Sequence, residues 1–214
     1  AKLGGNGKAS GLELARLLAA VHAVPLSTLN WLDIPTDRPT SEYVLQMIKA
    51  YEDQWQRHRT RPSPTLAAAF EYLRTHVPQQ GPAAAIVHGD ASLRNLLMDG
   101  DKAGALLDWE LWHIGDPTED LAYCRPEVEQ VMPWSEFIAA YRSHGGGDCD
   151  NSICAYYGLF GAVRNAVFGE SCLYGFERAS HPGARSAFAA IYLARKLIPA
   201  VAASLTALNA GANA

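Results

Sequence analysis

Apolar residues recur at helical spacing over 12–23, where Pro25 closes the run, and again over 41–59 and 63–76. Ser41 is placed to cap the second of these, and Pro64 and Pro78 bracket the third. The pattern then changes. Three short apolar runs follow, at 83–87, 96–98 and 105–107, and Asp99-Gly100 between the last two is a hairpin signal. Beyond Asp116 helical patterning returns over 117–124, 134–143, 151–175 and 184–208, with no internal repeat. The expected fold is mainly α with a small β-hairpin platform. A hairpin that short cannot be the main core, so it is expected to position something.

The opening residues, 1–10, are Gly-rich and read as a flexible leader. "GNGKAS" is not a phosphate loop, because the glycine needed five places before Gly7 is Lys2. Hydrophobic residues make up 49% and charged residues 19% of the 214, an ordinary globular composition. A net charge of −4 argues against general nucleic-acid binding. No signal or membrane-spanning segment is visible, which points to a cytoplasmic protein. Four cysteines without a CxxC pair suit free thiols in a reducing compartment.

The hairpin sits in the stretch "IVHGDASLRNLLMDGDKAGALLDWE". Asn95 precedes its first strand and Asp108 follows its second, so an antiparallel turn at Asp99-Gly100 brings both to one end. Their oxygens suit Mg²⁺, a hard cation held by one or two protein groups and completed by phosphates and water. Asp90, five residues before Asn95, is free to face another atom. Phosphoryl transfer needs this set: a carboxylate to take the attacking hydroxyl's proton, and an amide and a second carboxylate for the metal. Asp90-Ala-Ser-Leu-Arg-Asn95 also has the Asp-four-Asn spacing of a kinase catalytic loop.

"VHGDASLRNLL", "LLDWE" and "GDPTEDLAY" together resemble the aminoglycoside phosphotransferase / choline kinase family, which has a protein-kinase-like fold. "DWELWHIGDPTEDLAY" looks most similar to the kinase-like domain associated with acyl-CoA dehydrogenases. The resemblance implies ATP and Mg²⁺ as cofactors, and a catalytic loop over 88–95 with Asp90 as base. It implies Asn95 and Asp108 as metal ligands, the latter in a metal-binding segment over 106–110. It implies His88 as the structural histidine of the loop and Glu110 as an acid near the metal. It also implies Asp120 as the brace of the loop backbone. Many relatives carry arginine two places after the base, where Ser92 stands here, so no role passes to Arg94. Asp116, Pro117 and Glu119 have the spacing of a capping box opening the next helix.

Kinase-like enzymes hold ATP with a β-rich small lobe, and no segment before the catalytic loop is long enough to form one. Residues 11–214 are therefore expected to be the helical C-terminal lobe, with the ATP-binding N-lobe outside this chain. The implied reaction is phosphorylation of a small-molecule hydroxyl, weak or absent without the N-lobe. The subgroup resemblance points to a hydroxylated acyl thioester or similar metabolite. The alternative is a non-catalytic lobe that binds a partner chain or forms a homodimer. His88 and Asp90 as zinc ligands would lack a third partner, since the other histidines are scattered. Arg164, Asn165, Glu170 and Arg178 read as a solvated helix face, with an acceptor pocket as the alternative. The five tryptophans read as core or pocket wall.

Overall fold

The computed structural model describes residues 2–5, 7–178, 180 and 183–211. The elements run β1 (Lys2–Leu3), α1 (Lys8–His22), α2 (Thr40–His58), α3 (Pro64–Thr75), β2 (Ala85–Val87), β3 (Leu96–Asp99) and β4 (Lys102–Leu106). There follow β5 (His113–Gly115), α4 (Thr118–Val128), α5 (Trp134–Ser143), α6 (Asn151–Glu177), α7 (Ala184–Tyr192) and α8 (Ile198–Gly211). The chain divides into two compact units, Ala1–Tyr43 with Gln79–Cys154, and Val44–Pro78 with Ala155–Ala214.

The first unit holds both sheets. β1, β3 and β4 form an antiparallel sheet in that order, and β2 pairs antiparallel with β5. The β3–β4 hairpin pairs Leu96 with Leu106 and Asp99 with Lys102, with a bulge between Leu97 and Met98. Gly100 takes a φ of 60° at the turn, a conformation glycine adopts without steric cost. Leu14, Ala15, Leu18 and Ala19 of α1 share one face and are fully buried with Leu93, Leu96, Leu121 and Phe137. Glu13 beside that face accepts from the Ala103 amide at 2.9 Å and from Arg16 Nη2 at 2.8 Å, which ties α1 to β4.

The second unit is helical. Trp55 of α2 stacks on Phe70 of α3 with centroids 5.6 Å apart, and Tyr51 meets Phe160 of α6 edge-on. The Tyr156 hydroxyl donates to the Leu73 carbonyl at 2.8 Å.

Several expectations need correction. The leader expected over 1–10 contributes β1, which pairs with β3, and the first turn of α1. β5 lies where no element was expected. The helix expected over 184–208 is interrupted by a π-helical stretch, Leu193–Leu197, because Pro199 has no N–H to continue the ladder. Arg164 and Glu170 are 1% and 2% exposed, not solvated. α6 is apolar on nearly all sides, so it has little polar face to turn to water. Trp55 is core, whereas Trp31 is exposed.

Candidate active site

The site begins where β2 ends. His88 is fully buried, and its two ring nitrogens have different tasks. Nδ1 accepts from the Asp90 amide at 3.1 Å, so Nε2 carries the proton and donates to the Leu107 carbonyl at 2.9 Å. One imidazole thus joins the loop of Asp90 to the segment of Asp108. The Trp109 ring packs 4.5 Å from it. Gly89 has a φ of 82°, and a Cβ there would overlap the Leu111 carbonyl oxygen, so glycine is required on two grounds.

Asp120 holds the loop from behind. Its Oδ2 accepts from the His88 amide at 2.7 Å and its Oδ1 from the Gly89 amide at 2.9 Å. His22 Nε2 lies 3.1 Å from Oδ2, and His22 Nδ1 lies 2.8 Å from the Tyr141 hydroxyl. Burial pushes the Asp120 carboxyl upward, but the His22 bond and charge and the two amides outweigh it and hold it below its ordinary value. Burial and the nearby Asp120 charge push the Tyr141 phenol up, so it stays protonated beside His22.

Glu127, in the last turn of α4, grips the far end of the loop. Its Oε2 accepts from the Leu93 amide at 3.0 Å, and its Oε1 lies 2.9 Å from Arg94 Nε. That caps the short 3₁₀ turn Leu93–Asn95. Asn95 Nδ2 donates to the Asp90 carbonyl at 2.9 Å and to Asp90 Oδ2 at 3.0 Å. The amide side of Asn95 is spent on Asp90, which leaves Asn95 Oδ1 and Asp90 Oδ1 to face other atoms.

Asp108 follows directly. The Leu107 amide donates to the Asn95 carbonyl at 2.8 Å, so the hairpin's open end holds Asn95 and Asp108 as backbone neighbours. Asp108 has a φ of 64° and is the only non-glycine with positive φ among the described residues. Such strain persists only when the surroundings impose it. Its carboxylate is exposed and makes no hydrogen bond or ion pair among the described residues. An amide oxygen and an open carboxylate are hard donors that fit Mg²⁺, leaving room for water or phosphate. Among the described residues no three His, Cys, Asp or Glu side chains form a metal-holding group. Glu110 is exposed on the turn Trp109–Leu111, one residue beyond Trp109.

The helix after this segment opens on Asp116. Asp116 Oδ1 accepts from the Thr118 amide at 2.8 Å, and Glu119 Oε2 lies 3.1 Å from His113 Nε2. His113 Nδ1 lies 3.0 Å from the Leu111 carbonyl. A carbonyl and a carboxylate both accept, so His113 donates from both nitrogens as an imidazolium. Burial works against this charge, but Glu119, the Leu111 carbonyl and Asp120 raise the His113 pKa overall.

His22 and Glu127 were missed as site residues. His22 had a readable signal: it falls four residues after Leu18 and eight after Leu14, so it continues a buried stripe, and a buried polar group needs a partner. Glu127 had none, since its partners, the Leu93 amide and Arg94, lie more than thirty residues earlier.

The chain matches the model of a family described as "Phosphotransferase enzyme family" over residues 7–156. Acyl-CoA dehydrogenase family member 10 of Mus musculus is 30% identical over 110 residues, which are 50% of this chain and 10% of that protein. An aminoglycoside phosphotransferase-like protein of Ralstonia eutropha superposes with a TM-score of 0.77 at 20% identity, over 92% of this chain and 65% of its own. A spectinomycin phosphotransferase solved with ADP and spectinomycin gives 0.59 at 16% identity, over 95% and 68%. The chain thus spans about a tenth of the first relative and about two thirds of the Ralstonia protein. Among the described residues no helix is long and apolar enough to cross a membrane.

Proposed function

The chain belongs to the phosphotransferase enzyme family, and on that premise we propose that it carries the catalytic half of an ATP- and Mg²⁺-dependent kinase of a small-molecule hydroxyl. The observation that carries this reading is the Asn95–Asp90 bond. One amide ties the base to the metal site and leaves an oxygen of each residue open.

In this reading Asp90 Oδ1 orients the acceptor hydroxyl and takes its proton, while Oδ2 stays bonded to Asn95. Asn95 Oδ1 and the Asp108 carboxylate hold Mg²⁺. The metal, when bound with the nucleotide, neutralises charge on the phosphates. His88 keeps the Asp90 and Asp108 segments in register through its two ring bonds. Asp120 and Glu127 fix the two ends of the loop, so little reorganisation is left for the reaction itself. Glu110 is exposed close to Asp108 in sequence and is assigned a supporting role toward the metal. The ADP-bound spectinomycin enzyme of similar fold supports a nucleotide as donor.

The test is calorimetric titration of ATP with Mg²⁺ into this chain, Asp108→Ala and Asp90→Ala. The reading expects magnesium-dependent binding that is lost in Asp108→Ala and kept in Asp90→Ala. Binding that ignores both magnesium and Asp108→Ala would overturn it. No binding by a chain shown to be folded would favour a lobe whose role is to bind a partner.

A further inference from the structure

Away from this site, α7 turns its large apolar side chains outward. Phe188, Ile191 and Tyr192 are 68%, 59% and 48% exposed, whereas Ser186, Ala187 and Ala189 are half-buried. Positions 188, 191 and 192 stand at i, i+3 and i+4, so the three exposed residues share one face of the helix. A surface helix normally buries the face that holds its large apolar residues. Here the buried side holds the small ones. The Phe188 and Tyr192 rings stack at 19° with centroids 6.3 Å apart, so the exposed residues form a patch and not scattered single side chains.

The charge around the patch has one sign. Arg185 lies one turn before Phe188 on the border of the same face, and Arg195 and Lys196 follow in the π-helical stretch beyond Tyr192. All three are exposed, and none makes an ion pair among the described residues. No Asp or Glu occurs after Glu177, although the whole chain has a net charge of −4. An apolar stripe with cations at both ends and no acid nearby is therefore confined to this part of the chain.

We propose that this face of α7 docks on an anionic lipid surface. Phe188, Ile191 and Tyr192 enter the boundary between headgroups and acyl chains, and Arg185, Arg195 and Lys196 meet the phosphates. Both features of the face select this occupant. The apolar side chains gain by leaving water, and the cations gain from a surface that presents many negative groups at once. Tyr192 suits such a boundary, since its ring is apolar and its hydroxyl can stay wet. A second copy of the chain fits less well. Pairing this face with itself would set the cations at the ends of one α7 against those of the other. An acidic protein would need a pocket shaped to three side chains, whereas a bilayer adapts to them. No spanning helix is required for such a contact.

The experiment is co-sedimentation of the full chain with two kinds of vesicle, phosphatidylcholine alone and phosphatidylcholine with about a quarter phosphatidylserine. The proposal expects binding to the second kind only, weakening as salt is raised. Arg195→Ala with Lys196→Ala should weaken binding about thirtyfold, from the lost attraction of two cations to the charged surface. Phe188→Ser with Ile191→Ser should abolish it. Both of those side chains are exposed, so the thermal midpoint of this variant should not fall below that of the wild type. Equal binding to both vesicles, or binding kept by Phe188→Ser with Ile191→Ser, would overturn the proposal. A folded chain that stays in the supernatant with both would also overturn it and leave the face to an acidic protein. A dimer in sedimentation velocity that Phe188→Ser with Ile191→Ser dissolves would overturn it in favour of a second copy.

Discussion

His22 Nε2 and Asp120 Oδ2 lie 3.1 Å apart, both buried, although 98 residues separate them in the chain. The same carboxylate receives the amides of His88 and Gly89. One buried anion therefore joins α1 and α4 to the entry of the loop that carries Asp90.

Replacing this anion by an amide keeps one acceptor oxygen and turns an NH2 group onto the buried donors of the other. Asp120→Asn should lower stability by about 3 kcal/mol, read by urea unfolding. A loss below about 1 kcal/mol would show that the brace is not needed. The sign with pH follows from the depressed folded pKa. Stability from Asp120 is complete above the unfolded value near 4 and is lost as pH falls through the lower folded value. The wild-type acid limb should therefore be steeper than that of Asp120→Asn.

His113 titrates in the opposite sense. Its folded pKa is raised, so its contribution is complete below about 6.5, the unfolded value, and is lost as pH rises through the folded value. Its ring resonances should titrate with a midpoint above the ordinary one. Glu119→Gln should lower that midpoint and cost more stability at pH 5 than at pH 9. Equal cost at both would mean that His113 is neutral in the fold.

Asp108 holds a left-handed backbone without being glycine. Asp108→Gly should raise stability by about 1 kcal/mol by releasing that strain, in so far as the looser unfolded chain does not offset it. It should also abolish magnesium-dependent nucleotide binding. A more stable protein that no longer binds is the expected pairing; a destabilised one would argue that the Asp108 side chain is structural.

Gly89→Ala combines a disfavoured φ with a Cβ placed on the Leu111 carbonyl oxygen. The expected loss is about 3 kcal/mol, measured by thermal or urea unfolding. Wild-type stability would mean that the turn after Asp108 can move away.

The hairpin and the residues it presents were legible because their signals are local. Asp99-Gly100 marks the turn, and the distances to Asn95 and Asp108 follow by counting along two strands. β5 was not legible. It is three residues long, and it is a strand only because β2, some thirty residues earlier, pairs with it. The bond from Glu119 to His113 was hidden for the same reason: the two residues belong to different elements, and nothing local to Glu119 announces that partner. Arg164 and Glu170 looked solvated because charge is usually exposed, a rule that fails on a helix apolar nearly all round. What sequence periodicity reports is which face is apolar, not which distant group satisfies a buried charge.

The hairpin has one more consequence. Asn95 and Asp108 sit at its open end, while Gly100 turns the chain at the closed end with nothing near the position of a Cβ. Residues inserted at that tip would project outward and leave the spacing of Asn95 and Asp108 unchanged. A single deletion within β3 or β4 would instead turn every later side chain to the opposite face. The turn is thus a site where chain length can vary freely, and the strands behind it act as a fixed ruler.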